Sequence, residues 1–209
     1  MAIELRRPFE VCTVQVHIID DDEDMREELR ELLEETGYAV RLYPDAASFL
    51  TAEPAGDGIL ILDLRLRGMS GLLLQQRLAG QSALQIIFIS GSAEVPDSVA
   101  AMKAGAHDFL VKPFREQVLI DAVGSAAEKV GAAWSEISAR AAVRATLNSL
   151  TPAEREVAQL VARGLRNGQI ASLTGKSDNT VKVHRARVMQ KVGVASACDL
   201  AARLRIVGS

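Results

Sequence analysis

Cysteine is scarce in this 209-residue chain, with only Cys12 and Cys198. Two thiols so far apart argue against a disulfide framework and suit a reducing, cytosolic setting. Long apolar runs are missing too. No segment approaches the roughly 18 consecutive apolar residues of a membrane span, so no membrane partner is expected. Met1–Glu10 carries charges on both sides of Leu5 and has no apolar signal-peptide core. Tryptophan occurs once, at Trp134, and packing between linker and domain is the expectation for it rather than ligand binding. Proline is absent from Glu116 to Asn148, which leaves that stretch free to be helical. What remains is globular stock: 48% apolar residues, in a length that suits one or two domains.

The net charge of −3 hides an asymmetry. From Leu150 onward ten basic residues face four acidic ones, a net of +6. The remaining 14 basic residues oppose 23 acids, a net of −9. An acidic first part and a basic second part predict two domains with different partners, the basic one suited to nucleic acid.

Periodicity divides the first part into alternating strands and helices. Strands are predicted near 14–19, 39–42, 58–62, 85–89 and 107–111, and helices near 23–36, 45–51, 71–79, 95–104 and from 115 onward. Gly37 and Gly105 fit helix ends, and Pro113 sits where a strand stops. Such repetition requires a parallel sheet with right-handed crossovers and helices on both faces. Val118, Ala122, Ala126, Val130, Trp134, Ile137 and Ala141 then recur at helical spacing. They predict a fifth helix extended into a helical linker, with a break and a separate short helix as the alternative. Gly124 and Gly131 each weaken the continuous helix by about 1 kcal/mol relative to alanine. The last part predicts four helices. Thr151-Pro152-Ala153-Glu154 opens the first, which ends near Gly164. A second spans about 167–173, Gly175 turns the chain, Ser177 or Asp178 caps a third to about 191, and after Gly193 a fourth runs from about 196 to 206. A tight turn between the second and third is a helix-turn-helix pattern.

Five polar residues directly follow apolar runs: Asp20 and Asp21, Asp63, Ser90 and Lys112. In a parallel sheet the carboxyl ends of the strands line one crevice, so the five converge. Three carboxylates, a hydroxyl and an ammonium in one cleft suit Mg²⁺ and a phosphoryl group. Asp63 is the expected nucleophile, since a carboxylate can form an acyl phosphate. Asp22–Asp24 are assigned to capping the first helix, and His17 to packing.

Val16-His17-Ile18-Ile19-Asp20-Asp21, Leu62-Asp63-Leu64-Arg65 with Gly68-Met69-Ser70-Gly71, Phe88-Ile89-Ser90-Gly91, and Phe109-Leu110-Val111-Lys112-Pro113-Phe114 resemble the receiver domain of bacterial two-component response regulators. Leu150 to Arg185 is similar to the LuxR-type helix-turn-helix of the NarL/FixJ subfamily. The resemblance implies a flavodoxin-like, doubly wound, five-stranded receiver over 12–116, a helical linker over 117–148 that includes the last receiver helix, and an all-α four-helix DNA-binding domain over 149–209. It implies Mg²⁺ on Asp21 and Asp63, with Asp20 acting largely through water and the main-chain carbonyl of Arg65 completing the set. Lys112 would pair with Asp63 before reaction, and Ser90 and Phe109 would carry the switch. Where receivers commonly have a proline, this chain has Leu66-Arg67-Gly68, which leaves the loop less restrained.

On the third helix of the last part, the family pattern brings Lys182, Val183 and Ala186 nearest the base edges. Asn179, Thr180, Lys182, Arg185 and Arg187 become candidates for phosphate contact. Val181 and Val188 are assigned to the core. A module this small would hold one half-site weakly, which favours a homodimer on phosphorylation; Val99, Lys103 and Asp108 are the candidate dimer residues. The expected partners are a sensor histidine kinase and promoter DNA, with RNA polymerase a further candidate, and the implied function is phosphorylation-dependent transcription regulation in the cytoplasm rather than enzymatic turnover. Two alternatives stand beside it. One is a Mg²⁺-dependent phosphotransfer enzyme of the haloacid-dehalogenase kind, whose Asp-x-Asp is absent here because Leu64 and Arg65 follow Asp63. The other is a DNA-binding protein with a vestigial receiver.

Overall fold

A computed structural model describes residues 14–52, 57–81, 83–91 and 95–208; Cys12 and the charged N-terminal stretch lie outside them. The chain divides into two compact units, with the boundary in sequence between Trp134 and Ser135.

The first unit is a five-stranded parallel sheet. Its strands are β1 (Gln15–Ile19), β2 (Ala39–Tyr43), β3 (Gly58–Asp63), β4 (Leu84–Ser90) and β5 (Asp108–Val111), in the spatial order β2-β1-β3-β4-β5. The helices α1 (Glu23–Glu35), α2 (Ala46–Thr51), α3 (Gly71–Arg77) and α4 (Val95–Lys103) alternate with them. The order reverses between β1 and β3, and both of their carboxyl ends open on the crevice there.

Strand alternation sorts the apolar side chains into two cores. Ile19, Leu60, Leu62, Ile86 and Phe88 pack with α2, α3 and α4 on one face. Val16, Ile18, Ile59, Ile61, Ile87, Ile89 and Leu110 pack with Leu29 and Leu33 of α1 on the other. Burial on both faces explains why β3 and β4 read as uninterrupted apolar runs. Asp22 caps α1 by accepting the Asp24 and Met25 N–H groups, and Ser70 caps α3 by accepting that of Leu73.

The fifth helix, α5, is continuous from Glu116 to Asn148. Gly124 and Gly131 are accommodated without a break. Leu119, Ala122, Val123, Ala126 and Val130 bury against the first unit, with Trp134 packed beside them. Val118, Ile137 and Ala141, placed on that stripe by spacing, are exposed instead. The stripe runs through Leu119, one position on from Val118. Further along, Val143 and Leu147 join the core of the second unit.

That unit adds α6 (Pro152–Ala162), α7 (Asn167–Thr174), α8 (Asp178–Val192) and α9 (Ala197–Gly208). Thr151 and Glu154 form a reciprocal capping box at the start of α6. Gly175 and Gly193 end α7 and α8 with positive φ of 66° each, a conformation that costs other residues roughly 1–2 kcal/mol. Val157, Val161, Ile170, Val181, Val188 and Leu200 form the centre of this core.

Candidate functional site

The strand ends deliver the cleft. Asp20 and Asp21 leave β1, Asp63 ends β3, Ser90 ends β4 and Lys112 follows β5. Carboxylate oxygens of Asp20, Asp21 and Asp63 lie within 4.8 Å of one another. Asp20 is the most deeply set, at 1% exposure. Its Oδ2 accepts a hydrogen bond from Lys112 Nζ at 2.7 Å, and its Oδ1 accepts the Asp22 N–H at 3.0 Å. Arg26 donates to its main-chain carbonyl at 2.7 Å. A buried carboxylate requires such partners, because an ion removed from water is otherwise too costly to keep charged. Lys112 therefore pairs most closely with Asp20, and its ammonium stands 3.9 Å from Asp63 Oδ2. The resemblance had placed its pairing on Asp63.

Asp63 accepts the Arg65 N–H at 3.1 Å. Its pKa is raised. Burial is the main cause, with the charges of Asp20 and Asp21 adding to it, against the lowering effects of the Arg65 N–H and Lys112. An oxygen-only set with excess negative charge is the donor chemistry of a hard divalent cation, and the three residues fit one.

Ser90 is fully buried, and its carbonyl accepts the Lys112 N–H at 2.8 Å. Phe109 is half-buried and stacks on Phe88 with ring centroids 6.1 Å apart. Strand register sets Phe88 beside Phe109 and Ser90 beside Val111. The hydroxyl residue, the aromatic and the lysine thus share one short stretch of backbone hydrogen bonding.

Two contributors were missed in the sequence. Arg67 Nε donates to Asp21 Oδ2 at 3.0 Å. Its position was noted only for the proline it replaces. Gly71 opens α3 so close to the acceptor strand that a Cβ there would stand 2.6 Å from the Asp63 carbonyl oxygen and 2.9 Å from the Phe88 ring. Among the candidate dimer residues, Val99 and Lys103 are both exposed one turn apart on α4. Alternation along β5 sends Asp108 toward the α5 side, where it lines a pocket with Asp121 and Lys129.

In the second unit, α7, Gly175 and α8 form the tight helix-turn-helix. Ser177 caps α8 by accepting the Thr180 N–H at 3.1 Å. Asn179, Lys182, Val183, Ala186, Arg187 and Gln190 are exposed, and their spacing puts them on one stripe. Val181, Val188 and Val192 are buried on the opposite side. Arg185 is half-buried and donates to Asn167 Oδ1 of α7 at 3.1 Å, which ties the two helices together. The Thr180 hydroxyl bonds Ser177 Oγ at 2.8 Å. At the far end of α8, Lys191 Nζ lies 2.7 Å from Glu154. That hydrogen bond, with the Thr151 N–H, holds the Glu154 pKa down at about 2.

Residues 16–124 match the response regulator receiver domain, and residues 148–204 match the luxR family of bacterial regulatory proteins. This chain belongs to the response regulators. It is 41% identical to the transcriptional regulatory protein FixJ of Rhizobium meliloti, over 87% of this chain and 90% of that one. It is also 41% identical to the C4-dicarboxylate transport transcriptional regulatory protein DctR of Rhodobacter capsulatus, over 89% and 96%. The solved structure of the response regulator StyR superposes with a TM-score of 0.80 at 39% identity, covering 91% of this chain and 98% of that one. A receiver followed by a LuxR-type helix-turn-helix is the architecture of phosphorylation-dependent transcription regulation in the FixJ/NarL family, between a histidine kinase and promoter DNA. This response regulator is thus a transcription factor and not an enzyme in the ordinary sense, which removes the phosphotransfer-enzyme alternative. Among its described residues no helix is long and apolar enough to cross a membrane.

Proposed function

We propose that Asp63 is the phospho-acceptor of this regulator and that Mg²⁺ is its cofactor. The observation that carries the reading is the convergence of Asp20, Asp21 and Asp63 within 4.8 Å, with the Lys112 ammonium against two of them. Asp21 and Asp63 would hold the ion directly, Asp20 through water, and the Arg65 carbonyl would complete the protein ligands. When bound, Mg²⁺ neutralises charge on the transferred phosphoryl group. An Asp63 carboxylate oxygen forms the new bond to phosphorus as the phosphohistidine nitrogen leaves. Lys112 then turns from the carboxylates to a phosphoryl oxygen, the Ser90 hydroxyl bonds another, and Phe109 turns inward.

That movement would bias the neighbouring surface toward a homodimer. Support comes from a run of exposed side chains: Val99 and Met102 on α4 are 43% and 46% exposed, and Val111 on β5 is 46% exposed. Lys103 on α4 and Asp108, which opens β5 on its α5 side, are the polar candidates for the interface. Dimerisation would set two α8 helices on neighbouring half-sites. Lys182, Val183 and Ala186 would face base edges, and Asn179, Thr180, Arg185 and Arg187 phosphates. The exposed stripe on α8 supports this for all but Arg185 and Thr180, whose side chains are already engaged within the protein. We take the receiver as 12–116, the helical linker, which includes the last receiver helix, as 117–148 and the DNA-binding domain as 149–209, with RNA polymerase as the further partner at the promoter.

The test is incubation with acetyl phosphate and Mg²⁺, followed by intact mass spectrometry and size-exclusion chromatography. Wild type should take up one phosphoryl group and shift to a dimer. Asp63→Asn should do neither, since an amide cannot form the acyl phosphate. Incorporation at the wild-type level in the variant would move the acceptor elsewhere.

A further inference from the structure

The three acids of the cleft are not partnered alike. Asp20 is sealed, with Lys112 on one oxygen and the Asp22 N–H on the other. Asp63 sits between Lys112 and the Arg65 N–H. Asp21 is 30% exposed at the side chain, and its cation is Arg67, which reaches it through Nε at 3.0 Å while remaining 87% exposed. Arg67 lies on the loop that follows the acceptor strand, four residues after Asp63. Among these groups the carboxylates sum to −3, with Lys112 and Arg67 supplying +2.

We propose that Arg67 is an internal counter-cation for the metal site, one that holds Asp21 in the metal-free protein and competes with Mg²⁺ for that carboxylate. This rests on the reading of Asp21 as a direct metal ligand. Arg67 takes one lone-pair site of Asp21 Oδ2 and part of the carboxylate's charge. Mg²⁺ demands near-ideal octahedral geometry at about 2.0–2.1 Å from its ligands, and a guanidinium 3.0 Å from Asp21 Oδ2 crowds and repels an ion placed on that carboxylate. The exposure of Arg67 makes the exchange easy. Its guanidinium can swing into water at little desolvation cost, unlike the Lys112 ammonium, whose departure would strand the buried Asp20. Arg67 therefore acts as a positioning residue that sets how much Mg²⁺ the site requires. The proline that receivers commonly carry in this loop has no charge and offers no such competitor.

An exposed ion pair is worth only about 0.2–1 kcal/mol, so removing it should tighten Mg²⁺ binding by about 1.4- to five-fold at one metal site. Isothermal titration of Mg²⁺ into the full-length, unphosphorylated protein at low ionic strength measures this directly. Arg67→Ala should bind Mg²⁺ more tightly than wild type, and Arg67→Lys should fall between them. Arg140→Ala serves as the control, since it removes the same charge from a surface pair with Glu136 on α5 and should leave Mg²⁺ affinity unchanged. Added salt should shrink the gap between wild type and Arg67→Ala, because screening weakens the competing pair. In an Asp21→Asn background the effect of Arg67→Ala should vanish. Equal affinities in wild type and Arg67→Ala, or weaker binding in the variant, would overturn the role of Arg67 alone. Absence of Mg²⁺ binding in every variant and in wild type would overturn the metal-site reading and the inference with it.

Discussion

Acid should weaken the receiver through His17. This ring sits in the middle of β1 at 3% exposure, with Nδ1 3.2 Å from the Tyr43 hydroxyl and its edge against Phe49 at a centroid distance of 5.6 Å. Burial, and then the nearby charge of Arg41, lower its pKa from 6.5 to about 4, with Asp57 opposing. The unfolded chain takes up a proton near pH 6.5 that the folded receiver refuses until about pH 4. Stability is therefore complete above pH 6.5, falls as pH drops through that window and levels off below it. A gap of 6.5 minus about 4, at 1.36 kcal/mol per pH unit, sets a ceiling of about 3.4 kcal/mol; relaxation of the surroundings around the charged ring brings the expected loss to the order of 2 kcal/mol. Urea unfolding followed by Trp134, which packs against this unit, measures it at pH 7, 6, 5 and 4. His17→Gln keeps a polar partner for Tyr43 but cannot titrate. The carboxylates common to both proteins cancel in the difference, so the wild type should lose about 2 kcal/mol more than the variant over the range. Parallel curves for the two proteins, or a wild type that gains stability in acid, would refute the reasoning.

Gly71→Ala should destabilise the receiver by about 1–3 kcal/mol through overpacking and slow phosphate incorporation, because the new Cβ presses on the Asp63 carbonyl and the Phe88 ring; urea midpoints and mass spectrometry check the two effects. Lys112→Ala should cost metal-free stability on the order of 3 kcal/mol, since Asp20 is left charged and buried, and adding Asp20→Asn should recover most of it. If phosphorylated at all, Lys112→Ala should fail to dimerise in size-exclusion chromatography. Binding of the full-length protein to promoter DNA should weaken linearly on a log-log plot against salt as counterions reoccupy phosphates, and Arg187→Ala should reduce that slope by about one. A slope unchanged by Arg187→Ala would take that side chain off the phosphate backbone.

What could be read in the sequence is what the backbone decides. Four apolar runs closed by polar residues sufficed to locate Asp20, Asp21, Asp63, Ser90 and Lys112, because a parallel sheet places strand ends whatever the helices do. Helix ends were legible for the same reason: Ser177, Gly175, Gly193 and the Thr151–Glu154 box act through their own local backbone. The register of α5 was harder. Alanine is neutral between core and surface, so spacing drew Val118 and Ile137 into one stripe with Ala122, Ala126 and Val130 and did not mark out Leu119 and Val123. Only packing against the sheet selects between them. Hardest of all was which charge meets which. Lys112 lies near two acids, and sequence alone cannot reveal that Asp20 is buried at 1% exposure and so claims the shorter contact. Arg67 carried no periodic or capping signal; its meeting with Asp21 spans 46 residues of sequence and depends on how one loop folds over the crevice. Arg185 likewise looked like a phosphate contact by helical position, yet its guanidinium is engaged by Asn167 of α7. These three long cationic side chains are the ones whose partners decide how the site is tuned and how α8 is held. The chemistry follows from residues fixed by the strands, and its regulation from residues whose reach exceeds any local rule.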